Sequence, residues 1–308
     1  MQRIGSQSGT VPLRTGLLQE NRTGDNSANT QGASRMKRFG GRTPAVTKGR
    51  GRATVAAFVV GVVVFGLGPS SQAIINGTPD GNGHPYAGGV DVRPTGFTIP
   101  ASGVLVSPTV FVTAGHVGKF FTNKGLTTAD VSFDPVFDYD SGTFYTGDIH
   151  INPDYTGQIN DQNDMAVIVF PEPIPGVTPA ELPTKNYLGG LHPQQLHSET
   201  YPAVGYGISR MSGANEGGGQ PGIDRSSGGT RRVGTWSFMS LDRDWIRFDM
   251  HEQEGCVGDS GAPNFLGNSN LVVGIGISGD FQCEHMGSDL RLDSARTRAF
   301  LEEFVELP

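Results

Sequence analysis

The chain has few cysteines and few charged residues for its length. Of 308 residues, two are cysteines and 17% are Asp, Glu, Lys or Arg, whereas 46 are glycines and 20 are prolines. The spacings that are typical of zinc sites, H-x-x-x-H or a paired Cys-His pattern, do not occur, and we expect no metal ion or other cofactor. The abundance of glycine and proline favours many short strands and turns over long helices.

The apolar run at residues 53–67, ATVAAFVVGVVVFGL, is too short for a typical membrane span. It covers 15 residues, whereas a spanning helix needs about 20. A basic tract at 36–52 precedes the run, and the triplet Ser-Gln-Ala at 71–73 follows it. A basic region, an apolar core and a small-x-Ala exit are together typical of a secretory signal peptide.

We therefore predict a disordered basic region at 1–52, a signal segment at 53–73 with cleavage between Ala73 and Ile74, and secretion of the remainder. The segment would contact the membrane only during export. An uncleaved membrane anchor is the alternative. A start of translation at Met36 would give a leader of more usual length.

The charge is divided unevenly along the chain. Residues 1–73 contain ten basic and two acidic residues; since the whole chain has 23 and 30, residues 74–308 contain 13 basic and 28 acidic residues, a net charge of −15. Nucleic-acid binding needs a basic face, and an acidic body argues against it.

Short apolar or alternating runs, separated by turn residues, follow one another through the body of the chain. Examples are YAGGVDV (86–92), SGVLVSPTVFVTAG (102–115), DMAVIVF (164–170), TYPAVGYG (200–207), WIRFDM (245–250) and NLVVGIGIS (270–278). These runs predict an antiparallel all-β fold, a barrel or a sandwich. One helix is expected at about 293–306, capped by Asp293 or Ser294.

Three residues stand in strong local contexts for nucleophilic catalysis. His116 follows an apolar strand in FVTAGHV, Asp164 opens another in NDMAVIVF, and Ser260 lies in the glycine turn GDSG. Histidine, aspartate and serine in this order suggest a catalytic triad.

Five motifs in this order resemble those of trypsin- and chymotrypsin-like serine proteases, especially small secreted bacterial ones. VTAGHV is similar to TAAHC, NDMAVIVF to NDIAL and CVGDSGAP to GDSGGP; IINGTPD resembles the mature start IVGG, and AVGYG resembles VTGWG. The resemblance spans about 74–305. It implies two antiparallel six-stranded β-barrels, at about 74–185 and 186–292, followed by the C-terminal helix.

The resemblance also implies roles for the residues of these motifs. Ser260 would be the nucleophile, His116 the general base and acid, and Asp164 the residue that orients the imidazole. The N–H groups of Gly258 and Ser260 would form the oxyanion hole. A free ammonium at Ile74 would pair with Asp259, so cleavage after Ala73 would also activate the enzyme.

The specificity pocket follows from the same resemblance. Cys256 and Cys283 would form its disulfide, and Ser278, Gly279 and Gly287 would line its walls. Glu254 occupies the floor position, where an acid selects Arg or Lys; because glutamate is longer than the usual aspartate, a small or uncharged preference stays open.

Two features depart from the family's pattern. Val117 replaces the cysteine that usually follows the catalytic histidine, so that disulfide is missing. Ile277 stands where a serine often hydrogen-bonds the triad aspartate, and Ser278 replaces the usual aromatic residue. These changes alter contacts around the triad while its three principal residues are kept.

The sequence thus predicts a monomeric secreted serine endopeptidase that acts on proteins or peptides. A catalytically weak protease-like binding or adhesion module and a secreted esterase with the same triad are the alternatives. The GDSG turn differs from the G-x-S-x-G elbow of α/β-hydrolases, which disfavours that fold. Asp134, Asp138 and Asp140 do not have the spacing of an EF-hand calcium loop and are expected to be turn residues.

Overall fold

The computed structural model of the chain describes residues 74–308 except 159, 210, 213–221, 224, 251–252, 280–282 and 284. The predicted disordered region and signal segment lie outside the described residues and stay predictions. No helix within the described ranges has the length and apolar character needed to cross a membrane.

The first half of the body forms a closed six-stranded barrel. Its strands, in chain order, are β2 (Ala87–Val90), β3 (Ala101–Ser107), β4 (Val110–Thr113), β5 (Thr128–Ser132), β6 (Tyr145–Ile151) and β7 (Ala166–Val169). They pair antiparallel in the order β2-β3-β4-β7-β6-β5, and β5 returns to β2. Val104 lies opposite Val112 and Phe111 opposite Ile168, so the apolar runs of neighbouring strands fill the interior.

The second half forms another antiparallel six-stranded ring with one added edge strand. The ring consists of β8 (Tyr201–Gly205), β11 (Arg232–Leu241), β12 (Trp245–Asp249), β13 (Pro263–Phe265), β14 (Val272–Gly279) and β15 (Met286–Arg291). The order β11-β12-β15-β14-β13-β8 is closed by pairing between β8 and β11, and β1 (Thr78–Pro79) adds to β11. The two barrels confirm the predicted fold class.

The remaining elements are short. Strands β9 (Met211–Ser212) and β10 (Gly222–Ile223) pair with each other. The α-helices of the described residues are α1 (Gly115–Thr122), α2 (Pro193–Ser198) and α3 (Ala295–Leu301). Ser294 caps α3 by accepting a hydrogen bond from Thr297 N, as predicted. Helix α3 is shorter than the predicted helix over 293–306, because the chain turns after Leu301 while the Phe304 ring still packs on Phe300.

Candidate active site

Adjacent strand ends bring His116 and Asp164 together. Strand β4 pairs with β7 so that Thr113 lies opposite Ala166; His116 follows β4 in the first turn of α1, and Asp164 precedes β7. The Asp164 carboxylate accepts hydrogen bonds from His116 N at 2.7 Å and from His116 Nδ1 at 2.9 Å. Two bonds from one residue to one carboxylate fix the orientation of the imidazole.

The Asp164 carboxylate is almost fully buried and has a further neighbour. Its side chain is 4% exposed, against 23% for His116. The Tyr155 hydroxyl lies beside it: burial, followed by the negative charge of Asp164, raises the pKa of Tyr155 to about 12. A hydrogen bond between the Tyr155 hydroxyl and Asp164 contributes to the same rise in the pKa of the tyrosine. Sequence reasoning missed this contact because Tyr155 belongs to no motif.

The nucleophile turn packs against the end of β4. Ser260 O accepts a hydrogen bond from Ser102 N, and Gly261 N donates to Gly276 O. Gly261 has φ = 81°, and a Cβ atom there would lie 2.4 Å from Thr113 Oγ1 and 2.9 Å from Ala114 N. Only glycine therefore permits this approach, which places Ser260, the residue before Gly261, beside the segment that leads into His116.

The structure joins His116 to Asp164 and sets the turn that carries Ser260 against the segment that leads into His116. Among the described residues, Ser260 Oγ forms no hydrogen bond with His116. Catalytic hydrogen bonds are commonly long in proteins without substrate, so the geometry is compatible with catalysis.

Gly258 and Ser260 present free backbone donors. Within the described part of the chain neither N–H donates a hydrogen bond, whereas the intervening Asp259 N donates to Cys256 O at 2.9 Å. Gly258 has φ = 99°, and a Cβ there would lie 2.6 Å from Ile99 Cγ2. Two unoccupied donors, one on the candidate nucleophile itself and one two residues before it, are what an oxyanion hole requires.

Asp259 is buried beneath this turn. Its carboxylate accepts hydrogen bonds from Cys256 N and Gly207 N, each at 3.0 Å. Burial outweighs these two bonds and raises the pKa of Asp259 to about 7. A further cationic partner would therefore stabilise the charged form.

The predicted mature start lies close to the pocket. Ile74 is fully buried, and Ile75 exchanges backbone hydrogen bonds with Glu254 at 2.8 and 2.9 Å. Ile74 has φ = 46°, which is strained for a β-branched residue. Ile74 packs in the apolar cluster of the second barrel. Its neighbour Ile75 is bonded to Glu254, which lies five positions before Asp259 in the sequence.

The predicted disulfide is confirmed, and part of the predicted pocket is described. Cys256 and Cys283 are bonded to each other. Glu254 is half-buried. A Cβ at Gly279 would lie 3.3 Å from Met286 O, and one at Gly287 would lie 3.1 Å from Met250 Sδ, so both glycines sit against close neighbours. Residues 280–282 of the predicted pocket wall lie outside the described residues.

Ser278 contacts a residue that the sequence did not single out. Its hydroxyl donates to Asn160 Oδ1 at 2.8 Å, across 118 positions of the chain. Asn160 has φ = 60°, a conformation that asparagine tolerates better than most residues. The bond joins the loop before Asp164 to β14, the strand that carries the predicted pocket residues Ser278 and Gly279.

Asp134 and Asp138 accept hydrogen bonds of the kind that is typical of turns. Asp134 Oδ2 accepts a hydrogen bond from Thr143 N, and Asp138 accepts from Asp140 N and from Ser141. No group of three or more potential metal-ligating side chains occurs in the ranges that the structure describes.

Comparisons with known proteins identify a family and structures that share the fold. The family model described as Trypsin matches residues 74–290. HL collagenase is 19% identical, and the match covers 76% of this chain and all of that one with a TM-score of 0.54. No curated protein sequence matches the chain.

Two scabies mite proteins described as inactivated protease paralogues also share the fold. Paralogue S-D1 is 16% identical over 76% of this chain and 99% of its own, with a TM-score of 0.54. Paralogue S-I1 is 14% identical over 71% and 94%, with a TM-score of 0.51. At these identities the structures establish the fold alone.

Proposed function

Because the chain belongs to the trypsin family, we propose that residues 74–308 form a secreted serine endopeptidase. The observation that carries the proposal is the hydrogen-bonded His116–Asp164 pair beside a glycine turn that offers two free N–H donors around Ser260. A base, its orienting acid, a nucleophile and an oxyanion site are the parts that acyl transfer needs.

In the proposed reaction Ser260 Oγ attacks the peptide carbonyl carbon while His116 Nε2 takes the hydroxyl proton. The N–H groups of Gly258 and Ser260 stabilise the negative oxygen of the tetrahedral intermediate. The C–N bond then breaks, His116 passes its proton to the departing amine, and an acyl-enzyme remains. Water attacks that ester by the same steps and releases the acid, with Asp164 holding the imidazolium throughout.

Labelling with a fluorophosphonate tests the proposal. Protein that begins at Ile74 should be labelled, and Ser260→Ala should not. A folded wild-type protein that takes no label, or equal labelling of both proteins, rejects the triad and favours the binding-module alternative. Labelled protein that hydrolyses esters but no peptide would identify the esterase alternative.

Activation by a new N-terminus is part of the proposal. The buried Asp259 carboxylate accepts two backbone hydrogen bonds, and these two bonds do not offset the effect of its burial on the pKa. Cleavage between Ala73 and Ile74 would create an ammonium and remove the peptide group that makes φ of Ile74 strained. Pairing of the ammonium with Asp259 would then hold the Gly258–Ser260 turn in its oxyanion-binding form.

Three N-terminal forms test this activation. Protein beginning at Ile74 should be active, whereas the N-acetylated form and a form with one extra residue should lose about 10²–10³-fold in rate, the cost of a lost oxyanion donor. An α-amino group has an ordinary pKa near 8, and pairing raises it, so the active form should lose activity as the pH rises above that raised value. Equal activity of the acetylated protein would reject the role of Ile74.

The specificity that the pocket supports best is for Arg or Lys before the scissile bond. Glu254 is half-buried at the predicted floor, where a carboxylate can form a charge-assisted pair with a basic side chain. Glu254→Gln should lower kcat/KM for an Arg substrate by about 10²-fold, since loss of one partner of a buried charge pair is costly. A peptide-library digest that shows cleavage chiefly after Leu or Phe would contradict this specificity.

Secretion is supported by the disulfide, since such bonds persist in oxidising compartments. N-terminal sequencing of the exported protein tests the predicted processing: a start at Ile74 is expected. A fully active exported protein with another N-terminus would contradict both the cleavage site and the activation that depends on it.

A further inference from the structure

A buried methionine lies against the glycines of the predicted specificity pocket. Its thioether sulfur, Met250 Sδ, lies 3.1 Å from the position that a Cβ atom would take at Gly287 and 3.7 Å from the corresponding position at Gly255. Met250 Cε lies 3.7 Å from the corresponding position at Gly279. We call these three residues the pocket glycines. The end of one methionine side chain thus contacts each of them on the face where a side chain would project.

Two of the pocket glycines face the same side of the sheet. Gly279 on β14 is paired with Gly287 on β15, and residues directly opposite each other in an antiparallel pair project to the same face. Gly255 follows Glu254, the predicted floor residue, and Met250 itself is only 1% exposed. The space that the resemblance assigns to the side chain of a substrate therefore holds the end of Met250.

The main chain of Met250 is fixed, whereas its side chain can rotate. Met250 follows β12, and its N–H donates to His285 O at 3.0 Å, which continues the pairing of β12 with β15. The side chain is unbranched and has three rotatable bonds, so the thioether can turn away while the backbone stays in place. The neighbouring Trp236 ring, which also contacts the Gly287 position at 3.4 Å, is held by a hydrogen bond from Nε1 to Gln253 O. Met250 is therefore the side chain that a ligand can displace.

The effect of Met250 on binding depends on the length of the substrate's side chain. An alanine side chain is a single methyl group next to the substrate's main chain, so it leaves Met250 in place. An arginine or lysine side chain has to pass the pocket glycines to reach Glu254, so Met250 has to rotate and give up buried apolar contacts. The loss of these contacts opposes the charge-assisted pair with Glu254.

We propose that Met250 is a specificity-determining residue: it fills the pocket of the free protein, and a basic side chain must displace it to reach Glu254. This inference rests on the proposed peptidase activity and on the proposed preference for Arg or Lys. Met250 lowers the affinity for long side chains and leaves the affinity for short ones unchanged. It thereby reduces the ratio of kcat/KM for an Arg substrate to kcat/KM for an Ala substrate.

Two peptides that differ only in Arg or Ala before the scissile bond measure this role in the exported protein. Met250→Ala should raise kcat/KM about tenfold for the Arg peptide and change it less than about twofold for the Ala peptide, because only the long side chain displaces Met250. Met250→Leu keeps an apolar side chain of similar volume, and its Arg/Ala ratio should stay within about threefold of wild type. The control Met239→Ala, which removes an exposed methionine on β11, should not change the ratio. A ratio that Met250→Ala leaves unchanged shows a purely structural role and overturns the proposal.

Binding of benzamidine, a small aromatic amidinium, separates this inference from the proposed function because it needs no hydrolysis. Calorimetry on Ser260→Ala should give a Kd that falls about tenfold when Met250→Ala is added. If Met250→Ala does not fold, Met250→Val, which keeps more of the buried side chain, replaces it in both measurements. Equal Kd values overturn the role of Met250 alone, and absence of binding by both proteins overturns the basic pocket together with that role. A tenfold lower Kd without hydrolysis by any variant supports the occupancy of the pocket by Met250 and rejects the peptidase function.

Discussion

The two barrels hold their parts of the site by different means. The first barrel supplies His116 and Asp164 from adjacent strand ends, joined by two hydrogen bonds of 2.7 and 2.9 Å. The second barrel supplies Ser260 from a turn that lies over the buried Asp259. It also buries Asp289 between strands, and burial raises the pKa of Asp259 to about 7 and of Asp289 to about 8.

This difference indicates which half of the candidate site should depend on pH and on the state of the N-terminus. The Asp164 carboxylate has its imidazole partner as soon as the first barrel folds, because pairing of β4 with β7 sets the distance. A carboxylate that is buried with too few partners is stabilised instead by a proton or by a cation. The second barrel is therefore the half whose organisation should respond to pH and to the state of the N-terminus.

The largest effect is expected from a substitution in the part of the candidate site that the first barrel supplies. Asp164→Asn keeps the size of the side chain but presents the wrong group to His116 Nδ1, and kcat should fall about 10⁴-fold with little change in stability. Steady-state kinetics on protein that begins at Ile74 measures the loss. The control is Asp148→Asn, which changes an exposed acid on β6 of the same barrel and should leave kcat unchanged. A loss of less than tenfold in Asp164→Asn would remove Asp164 from the triad.

An intermediate effect is expected from removal of the disulfide in the second barrel. Replacing Cys256 and Cys283 together by alanine should lower the free energy of unfolding by about 2–4 kcal/mol, because the bond closes a loop over 27 positions. Hydrogen exchange should show lost protection in β14 and β15, with β3 and β4 less affected. Wild-type protein reduced by a thiol should behave as the variant does. Equal loss of protection in both barrels would contradict a stabilising effect centred on the second barrel.

The strong motifs of the sequence predicted the fold class, the His116–Asp164 pairing and the disulfide. Contacts made by residues outside the motifs were not predicted. Tyr155 contacts Asp164 and Asn160 contacts Ser278 because of the path of one loop, which no motif specifies. Strand β15, MGSDLR, was also not predicted. Its buried residues include Asp289 and Arg291, so a polar sequence occupies an interior strand and the apolar alternation that predicts a strand is hidden.

The smallest effect concerns the pH dependence of the second barrel. Asp289 Oδ2 accepts a hydrogen bond from Asn264 Nδ2 at 2.6 Å, while Oδ1 of each residue has no hydrogen-bond partner among the described residues. A protonated carboxyl can donate and an ionised one cannot. The folded protein therefore retains a proton at Asp289 that the unfolded chain, with an ordinary pKa near 4, has already released.

Stability should fall across this window as the pH rises. Between about pH 4 and pH 8 the folded state binds more protons at Asp289 than the unfolded state, so the free energy of unfolding decreases with pH and levels off above the folded pKa of about 8. Asp289→Asn removes this contribution, and at pH 8.5 it should be more stable than wild type by about 1–3 kcal/mol, the cost of an unsatisfied buried polar group. Urea unfolding at several pH values measures the difference between the two proteins, in which the shared contribution of Asp259 cancels. Asp148→Asn in the first barrel should follow the wild-type profile; if Asp289→Asn follows it too, Asp289 is ionised in the folded protein and the two barrels do not differ in this respect.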